Sequence, residues 1–308
     1  MVDILLAVYN GAAYLSEQLD SIIKQTFTNW RLIILDDCST DQTPEIVERY
    51  QQRYPNKIEY YVNETNSGNA KYTFFNLLAH STADYVMTCD HDDVWLPAKV
   101  EWTMYKMKEL ESRYGATTPI LVHTDLKIVD ERLYEYSSSM FESQQMDYER
   151  TQLHYLLAQN IVTGCTMMVN RYLLDLCPKF PDDAIMHDWW LALVASAFGK
   201  IGFVDRATIL YRQHSGNQVG AKNVKDIKYL LHRFKSNGDN KQMVQDTYQQ
   251  AAAFWYCYSH CLTPKQKRIV QAYATLPKYW KGKRIFLLFR YRLWKYGVIR
   301  KLGQIFYV

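Results

Sequence analysis

The chain has 308 residues, 48% hydrophobic, 15% aromatic and 22% charged, a composition able to offset its ordering entropy and long enough for one large domain or about two. Global disorder and a disulfide-stapled mini-protein are both excluded. The net charge of +4 hides a division near residue 220: residues 221–308 hold 18 Lys+Arg against Asp226, Asp239 and Asp246, which leaves 18 basic and 29 acidic side chains in residues 1–220. An acidic body points to a sugar, metal or cation partner, and a basic end to a polyanion such as membrane phosphate or nucleic acid.

In chain order, residues 3–9 and 31–36 are short, branched apolar runs of the kind buried parallel strands need. Between them, residues 12–25 carry Leu15, Leu19, Ile22 and Ile23 at helical spacing. Thr43–Tyr54 reads as a helix with Thr43 as cap and Pro44 in its first turn. Ile58–Val62 and Tyr85–Cys89 read as strands around a helix near Lys71–Leu78. This alternation predicts an α/β fold with a mostly parallel sheet flanked by helices. Further strands are expected at Ile120–Val129, Cys165–Val169, Ile201–Val204 and Thr208–Arg212, with a loop over 144–150 and an apolar helix over 188–198. Beyond Gly220 only helices are expected, at about 224–235, 241–262, 265–275 and 283–301, broken by Pro264 and Pro277. The expected organisation is therefore an α/β domain over 1–220 and a basic helical region over 221–308.

Four clusters can carry chemistry. Asp90-His91-Asp92-Asp93 directly follows a strand, and its carboxylates repel one another unless a cation joins them. A hard divalent ion, Mg²⁺ or Mn²⁺, bound with a diphosphate fits such oxygen ligands, whereas a helix N-terminus capped by Asp92 or Asp93 is the structural alternative. Asp36-Asp37-Cys38-Ser39-Thr40-Asp41 ends another strand. A carboxylate there, with Asp37 the candidate, accepts hydrogen bonds from a nucleobase or ribose, while Ser39, Thr40 and Asp41 read as a turn. His187-Asp188-Trp189-Trp190 opens the apolar helix, and Tyr211-Arg212-Gln213-His214 follows the last strand; by themselves Asp188 reads as a cap and His214 as a loop histidine.

The six cysteines are scattered without zinc spacing, and the N-terminus lacks the features of a signal peptide, so reduced thiols and a cytoplasmic location are expected. No stretch reads as a bilayer span, so any membrane contact is expected to be peripheral.

Val8-Tyr9-Asn10-Gly11, Asp36–Asp41, Asn66-Ser67-Gly68-Asn69-Ala70-Lys71, Asp90–Trp95, His187–Trp190 and Tyr211–His214 occur in an order that resembles family 2 glycosyltransferases, above all bacterial rhamnosyltransferases of cell-wall and capsular polysaccharide synthesis. The resemblance covers about residues 1–220. It implies a Rossmann-like GT-A fold and an inverting hexosyltransferase that uses a nucleotide-diphosphate sugar and Mn²⁺ or Mg²⁺. Carried over by position, Ala7, Tyr9 and Asp37 hold the nucleoside, and Gly68 and Lys71 lie near the base and diphosphate. Asp90 sits by the ribose, Asp92 and His214 serve the metal, and Asp188 is the catalytic base. His91 stands where the family usually has Gln, and Cys38 where it usually has Gly. The expected donor is dTDP-β-L-rhamnose, with a UDP-hexose as alternative, and the expected acceptor is a lipid-linked bacterial glycan.

Trp95, Trp189 and Trp190 are candidates for an acceptor platform; the last two, adjacent on a helix, point about 100° apart, so only one can face a cleft. Residues 264–308 hold 12 Lys+Arg, no acid, and interleaved aromatics, which suits contact with an anionic membrane at the inner face of the cell membrane. Dimerisation through part of this end is the alternative. Two other classes compete: a non-catalytic nucleotide-sugar or glycan-binding module, and a nucleic-acid-binding protein, which nothing in residues 1–220 supports. No nucleic-acid partner is expected.

Overall fold

A computed structural model describes residues 1–214 and 237–308, the first four of the second stretch by backbone only; the helix expected at 224–235 lies outside them. By internal contacts the described residues form two units: 1–140, 162–176 and 200–214 make the first, and 141–161, 177–199 and 237–308 the second.

The first unit is built on a nine-stranded sheet. Its strands are β1 (Val2–Val8), β2 (Trp30–Asp36), β3 (Ile58–Val62), β4 (Tyr85–Asp90), β5 (Val94–Trp95), β6 (Ile120–Val129), β7 (Glu135–Ser137), β8 (Met168–Asn170) and β9 (Lys200–Arg212). They run in the order β3-β2-β1-β4-β8-β6-β9-β5, with β7 on β6. The β3–β2–β1–β4 half is parallel, as the alternation predicts, and β6 pairs β9 in parallel as well. β8 runs antiparallel between β4 and β6, and β5 antiparallel to β9. Helices α1 (Leu15–Ile23), α2 (Thr43–Arg53), α3 (Ala70–His80) and α4 (Lys99–Tyr114) flank the sheet. All seven residues of β1 are buried, because helices cover both faces of a parallel sheet. Leu15, Leu19 and Ile22 of α1 join Ile4, Leu6, Leu32 and Ile34 in the core.

The amino ends of β1 and β2 are locked by one ion pair. Asp3 is fully buried and faces Arg31 in the strand register. Its carboxylate accepts from Arg31 at 2.9 and 3.0 Å, from Ser81 Oγ at 2.8 Å and from the Ala83 N–H at 3.2 Å. Burial pushes its pKa up, but these bonds outweigh burial and hold it below the ordinary value.

Several local expectations change. Thr43 is the first helical residue rather than the cap of α2; its hydroxyl accepts the Gly11 N–H instead. The run at 165–169 divides into a 3-10 turn at Gly164–Thr166 and β8, and the two strands read over 201–212 are one, β9, irregular in register opposite Thr124–Lys127.

The second unit is helical. Its elements include α6 (Leu153–Leu156), α8 (His187–Phe198), α9 (Asn237–Tyr258), α10 (Pro264–Ala274), α11 (Lys281–Arg290) and α12 (Val298–Tyr307); α5 (Met140–Ser143) starts at the last residue of the first unit's opening segment, and α7 (Arg171–Asp175) belongs to that unit. The apolar face of α8 packs Trp190 edge-on against Phe254 of α9 at 5.7 Å, and Pro264 begins α10 behind a Thr263–Gln266 capping box. The single helix expected over 283–301 is two, interrupted where Arg292 and Gly297 take positive φ of 55° and 83°. All six cysteines are free thiols, and among the described residues no helix is long and apolar enough to cross a membrane.

Burial holds His123 of β6 and His187 of α8 at a pKa of about 3. Between there and the unfolded value near 6.5 only the unfolded chain binds these protons, so stability falls as pH falls through that window, by about 1.4 kcal/mol per pH unit for each histidine. Denaturation series from pH 7 to pH 5 are expected to show a shallower slope for His123→Gln than for the wild type; parallel curves would contradict this.

Candidate active site

Parallel register brings three strand ends together. Ala7 on β1 lies opposite Leu35 on β2 and Asp90 on β4, and Val8 lies opposite Asp36. β1 is also where strand order reverses, with β2 on one side and β4 on the other, the place where open α/β sheets form a ligand crevice at the carboxyl ends of their strands. Ala7, Asp37 and Asp90 therefore share one sheet edge.

The loops beyond these ends are tied to one another. Ser39 Oγ accepts the Asn10 N–H at 2.8 Å, Asn10 Oδ1 accepts the Thr40 N–H at 2.8 Å, and the Asp41 carboxylate accepts from the N–H groups of Ala12 and Thr43, both at 3.0 Å. Ser39, Thr40 and Asp41 thus form the structural turn that the sequence predicts. A Cβ on Gly11 would sit 2.6 Å from the His91 ring, so only glycine admits that histidine. His91 in turn is hydrogen-bonded to the Ala7 backbone, and burial lowers its pKa despite Asp92. Cys38, at the usual glycine position, adopts φ of 66°.

Asp37 is buried, and its carboxylate already serves its own loop. Oδ1 accepts from Asn63 Nδ2 at 2.6 Å and from the Ser67 N–H at 2.9 Å, and Oδ2 from Ser67 Oγ at 2.7 Å. A carboxylate has about four acceptor sites, so capacity for a ligand N–H or hydroxyl remains. Gly68, at φ 69°, belongs to the loop Asp37 holds, and Asn69 caps α3 by accepting the Lys71 N–H; the Lys71 ammonium lies over the Tyr72 ring at 4.6 Å. Tyr9 is 49% exposed beside this edge.

The acidic loop separates its carboxylates by environment. Asp90 is half-buried at the end of β4, whereas Asp92 and Asp93 are buried. Burial, then the charges of Asp92 and Asp90, drive the Asp93 carboxyl well above its ordinary pKa. It accepts the Arg212 N–H at 3.2 Å rather than capping α4, whose cap position is Ala98. Asp92 Oδ2 lies 2.8 Å from His214 Nε2, and the His214 ring rests against Tyr14 at 4.8 Å. Two donor atoms at that spacing match an edge of an octahedron with metal–ligand bonds of about 2.1 Å, roughly 3 Å long, and carboxylate plus imidazole suits Mn²⁺. Asp90, Asp93 and Cys165 also bring donor atoms within 4.8 Å of one another. Burial and the adjacent acids push both the Cys165 thiol and the Asp93 carboxyl well above their ordinary pKa values.

Arg212 is the residue sequence reasoning missed. It is 2% exposed; Nε donates to the Asp92 carbonyl at 2.8 Å, Nη1 to the Glu131 carbonyl, Nη2 to the Glu17 carboxylate, and its guanidinium lies over the Tyr14 ring at 4.5 Å. Its place two residues before His214 was the only signal, and nothing in composition says that this arginine turns inward.

Asp188, Trp189 and Trp190 belong to the second unit. Asp188 stands in the first turn of α8, not at its cap, which is Met186; it is 9% exposed, and Oδ1 accepts the Trp189 N–H. Trp189 is half-buried and donates Nε1–H to the Leu156 carbonyl at 2.6 Å. Trp190 is fully enclosed, and in the first unit Trp95 is 2% exposed beneath Lys99. These two side chains are core, which removes Trp95 and Trp190 as acceptor contacts; of the adjacent pair Trp190 is the one that packs inward, and Trp189 keeps partial exposure.

Residues 3–176 match the model of the family described as Glycosyl transferase family 2. Over 235 residues the chain is 29% identical to the dTDP-rhamnosyl transferase RfbG of Shigella flexneri, covering 73% of this chain and 76% of that protein. Among solved structures it is similar to residues 1–349 of S. aureus TarS in complex with UDP-GlcNAc, with TM-score 0.57, 18% identity, and 95% and 92% of the two chains covered. It is also similar to the mannosyltransferase PcManGT of Pyrobaculum calidifontis in complex with GDP-Man and Mn²⁺, with TM-score 0.55, 18% identity, and 99% and 83% covered. These likenesses show the mixed α/β GT-A fold.

Removing the guanidinium leaves the Asp92 and Glu131 carbonyls without their donor in a buried setting. Arg212→Ala is expected to lower the unfolding free energy by about 3 kcal/mol. Urea denaturation checks this, and a change under about 0.5 kcal/mol would show that Arg212 does not hold the acidic loop.

Proposed function

The chain belongs to glycosyl transferase family 2 and is a glycosyltransferase, and we propose that it is a metal-dependent enzyme that moves L-rhamnose, with inversion, from dTDP-β-L-rhamnose to a lipid-linked bacterial polysaccharide. The observation that carries this reading is the single sheet edge on which Ala7, Asp37 and Asp90 converge, with the Asp92–His214 pair beyond it. Asp37 accepts from the base, Asp90 from the ribose, and Tyr9, Gly68 and Lys71 border the nucleotide. Thymine and uracil present the same ring N–H to Asp37, so a UDP-hexose is the second donor; similarity to RfbG supports rhamnose. Asp92 and His214 would hold Mn²⁺ or Mg²⁺, which when bound would supply charge neutralisation for the departing diphosphate.

The protein's own part is positioning and proton transfer. Asp188 takes the proton of the acceptor hydroxyl as that oxygen attacks the anomeric carbon, and Lys71 adds positive charge for the leaving group. Trp189 offers an edge to the acceptor sugar. Within this reading residues 1–220 form the nucleotide-sugar and acceptor domain, and 221–308 place the enzyme at the inner face of the cell membrane.

A radiolabelled transfer assay with dTDP-β-L-rhamnose and a lipid-linked acceptor tests the base. Asp188→Asn is expected to lower turnover by about 10²–10⁴-fold with nucleotide affinity changed less than about twofold. Full activity in that variant removes Asp188 from the role. Asp92→Ala is expected to abolish the gain in nucleotide affinity on adding Mn²⁺; an undiminished gain would reject Asp92 as ligand.

A further inference from the structure

Helices α11 and α12 are consecutive in the second unit and are linked through the last turn of α12. Lys281 Nζ donates to the Phe306 carbonyl at 3.3 Å, and Gln304 accepts the Lys295 N–H at 3.0 Å and donates to the Leu293 carbonyl at 2.9 Å. Leu288, Leu293, Gln304 and Val308 are all buried. On a helix facing water the polar stripe points outward. In α12 the pattern is reversed: a glutamine is enclosed, while Val298, Leu302 and Phe306, four residues apart on one face, are 73%, 59% and 65% exposed, and Ile299 beside them 41%. Phe286 and Phe289 on α11 add 62% and 64%.

Cations surround this apolar face. Residues 264–308 contain 12 Lys+Arg and no acid, and Lys281, Lys283, Arg290 and Lys301 are exposed on these two helices. A second copy meeting this face by two-fold symmetry would set the same cations against themselves with no carboxylate from this region to offset them. Nucleic acid would satisfy the charges and leave Val298, Ile299 and Leu302 in water. Each helix of ten residues is about 15 Å long, half the thickness of a bilayer core, so neither can span one.

We propose that the segment carrying α11 and α12 docks the enzyme, lying in the interfacial plane, on the surface of an anionic lipid bilayer. Phe286, Leu302 and Phe306 enter the acyl boundary while the lysines and arginines meet the headgroups. This rests on the proposed membrane-attached acceptor only for its purpose; the face itself is a property of the second unit.

The test is co-sedimentation of the full chain with phosphatidylglycerol–phosphatidylcholine vesicles and with phosphatidylcholine vesicles. The wild type is expected to bind the anionic vesicles selectively and to release with rising salt. F286S/L302S/F306S is expected to bind at least tenfold more weakly. K281Q/K283Q/K301Q leaves every apolar side chain in place and is expected to lose both the anionic preference and the salt dependence. Absence of vesicle binding by the wild type, or binding by the serine variant equal to it, would overturn the proposal. So would a wild-type dimer, seen by analytical ultracentrifugation, that the serine substitutions convert to monomer. Nucleotide titration of the same wild-type preparation separates the two readings: its failure with vesicle binding intact rejects the donor assignment alone, and the converse rejects the docking alone.

Discussion

The parallel register of β1 between β2 and β4 is the constraint on which the first unit depends. It sets Ala7, Leu35 and Asp90 at one level, with Asp36 one residue further on opposite Val8, and a slip of one residue would turn every side chain of β1 to the opposite face of the sheet. Two devices hold that register at opposite ends. At the amino ends the buried Asp3 accepts from Arg31, Ser81 and Ala83 together, a geometry available in only one alignment. At the carboxyl ends the loops are tied through Asn10, Ser39, Asp41 and Thr43, and Arg212 reaches from β9 to the carbonyl of Asp92.

Crowding acids at that edge is unfavourable, and the structure relieves it by giving each carboxyl a different environment. Asp36 is occupied by the Ser39 N–H and the Tyr60 hydroxyl, and Asp37 by Asn63 and Ser67. Burial raises the Asp93 carboxyl well above its ordinary pKa, and Asp92 faces His214. The proposed ligand contacts fall on Asp37, the half-buried Asp90 and the Asp92–His214 pair. Environments that differ in this way give neighbouring acids of one residue type different chemistry.

Much of this was legible in the sequence, for reasons that also mark the limit. The strand–helix alternation from Val2 to Asp90 showed because parallel strands buried on both faces leave continuous apolar runs, and acids following such runs fall at strand ends by construction. The antiparallel direction of β8, whose strand shows in the run at 165–169, and the two-residue β5, too short for a period, left no such trace. Trp95 and Trp190 were read as surface candidates because an aromatic beside an acid has the same local sequence whether it packs inward or outward. Arg212 was invisible for a related reason: its partners lie at Glu17, Asp92 and Glu131, far apart in sequence.

The central claim is that one sheet edge recognises a nucleoside diphosphate together with a divalent cation. Calorimetric titration with dTDP, UDP and GDP, each with and without Mn²⁺, tests it most directly. The account predicts Mn²⁺-dependent binding with dTDP preferred over GDP. Absence of binding by all three nucleotides in the presence of Mn²⁺ would contradict it.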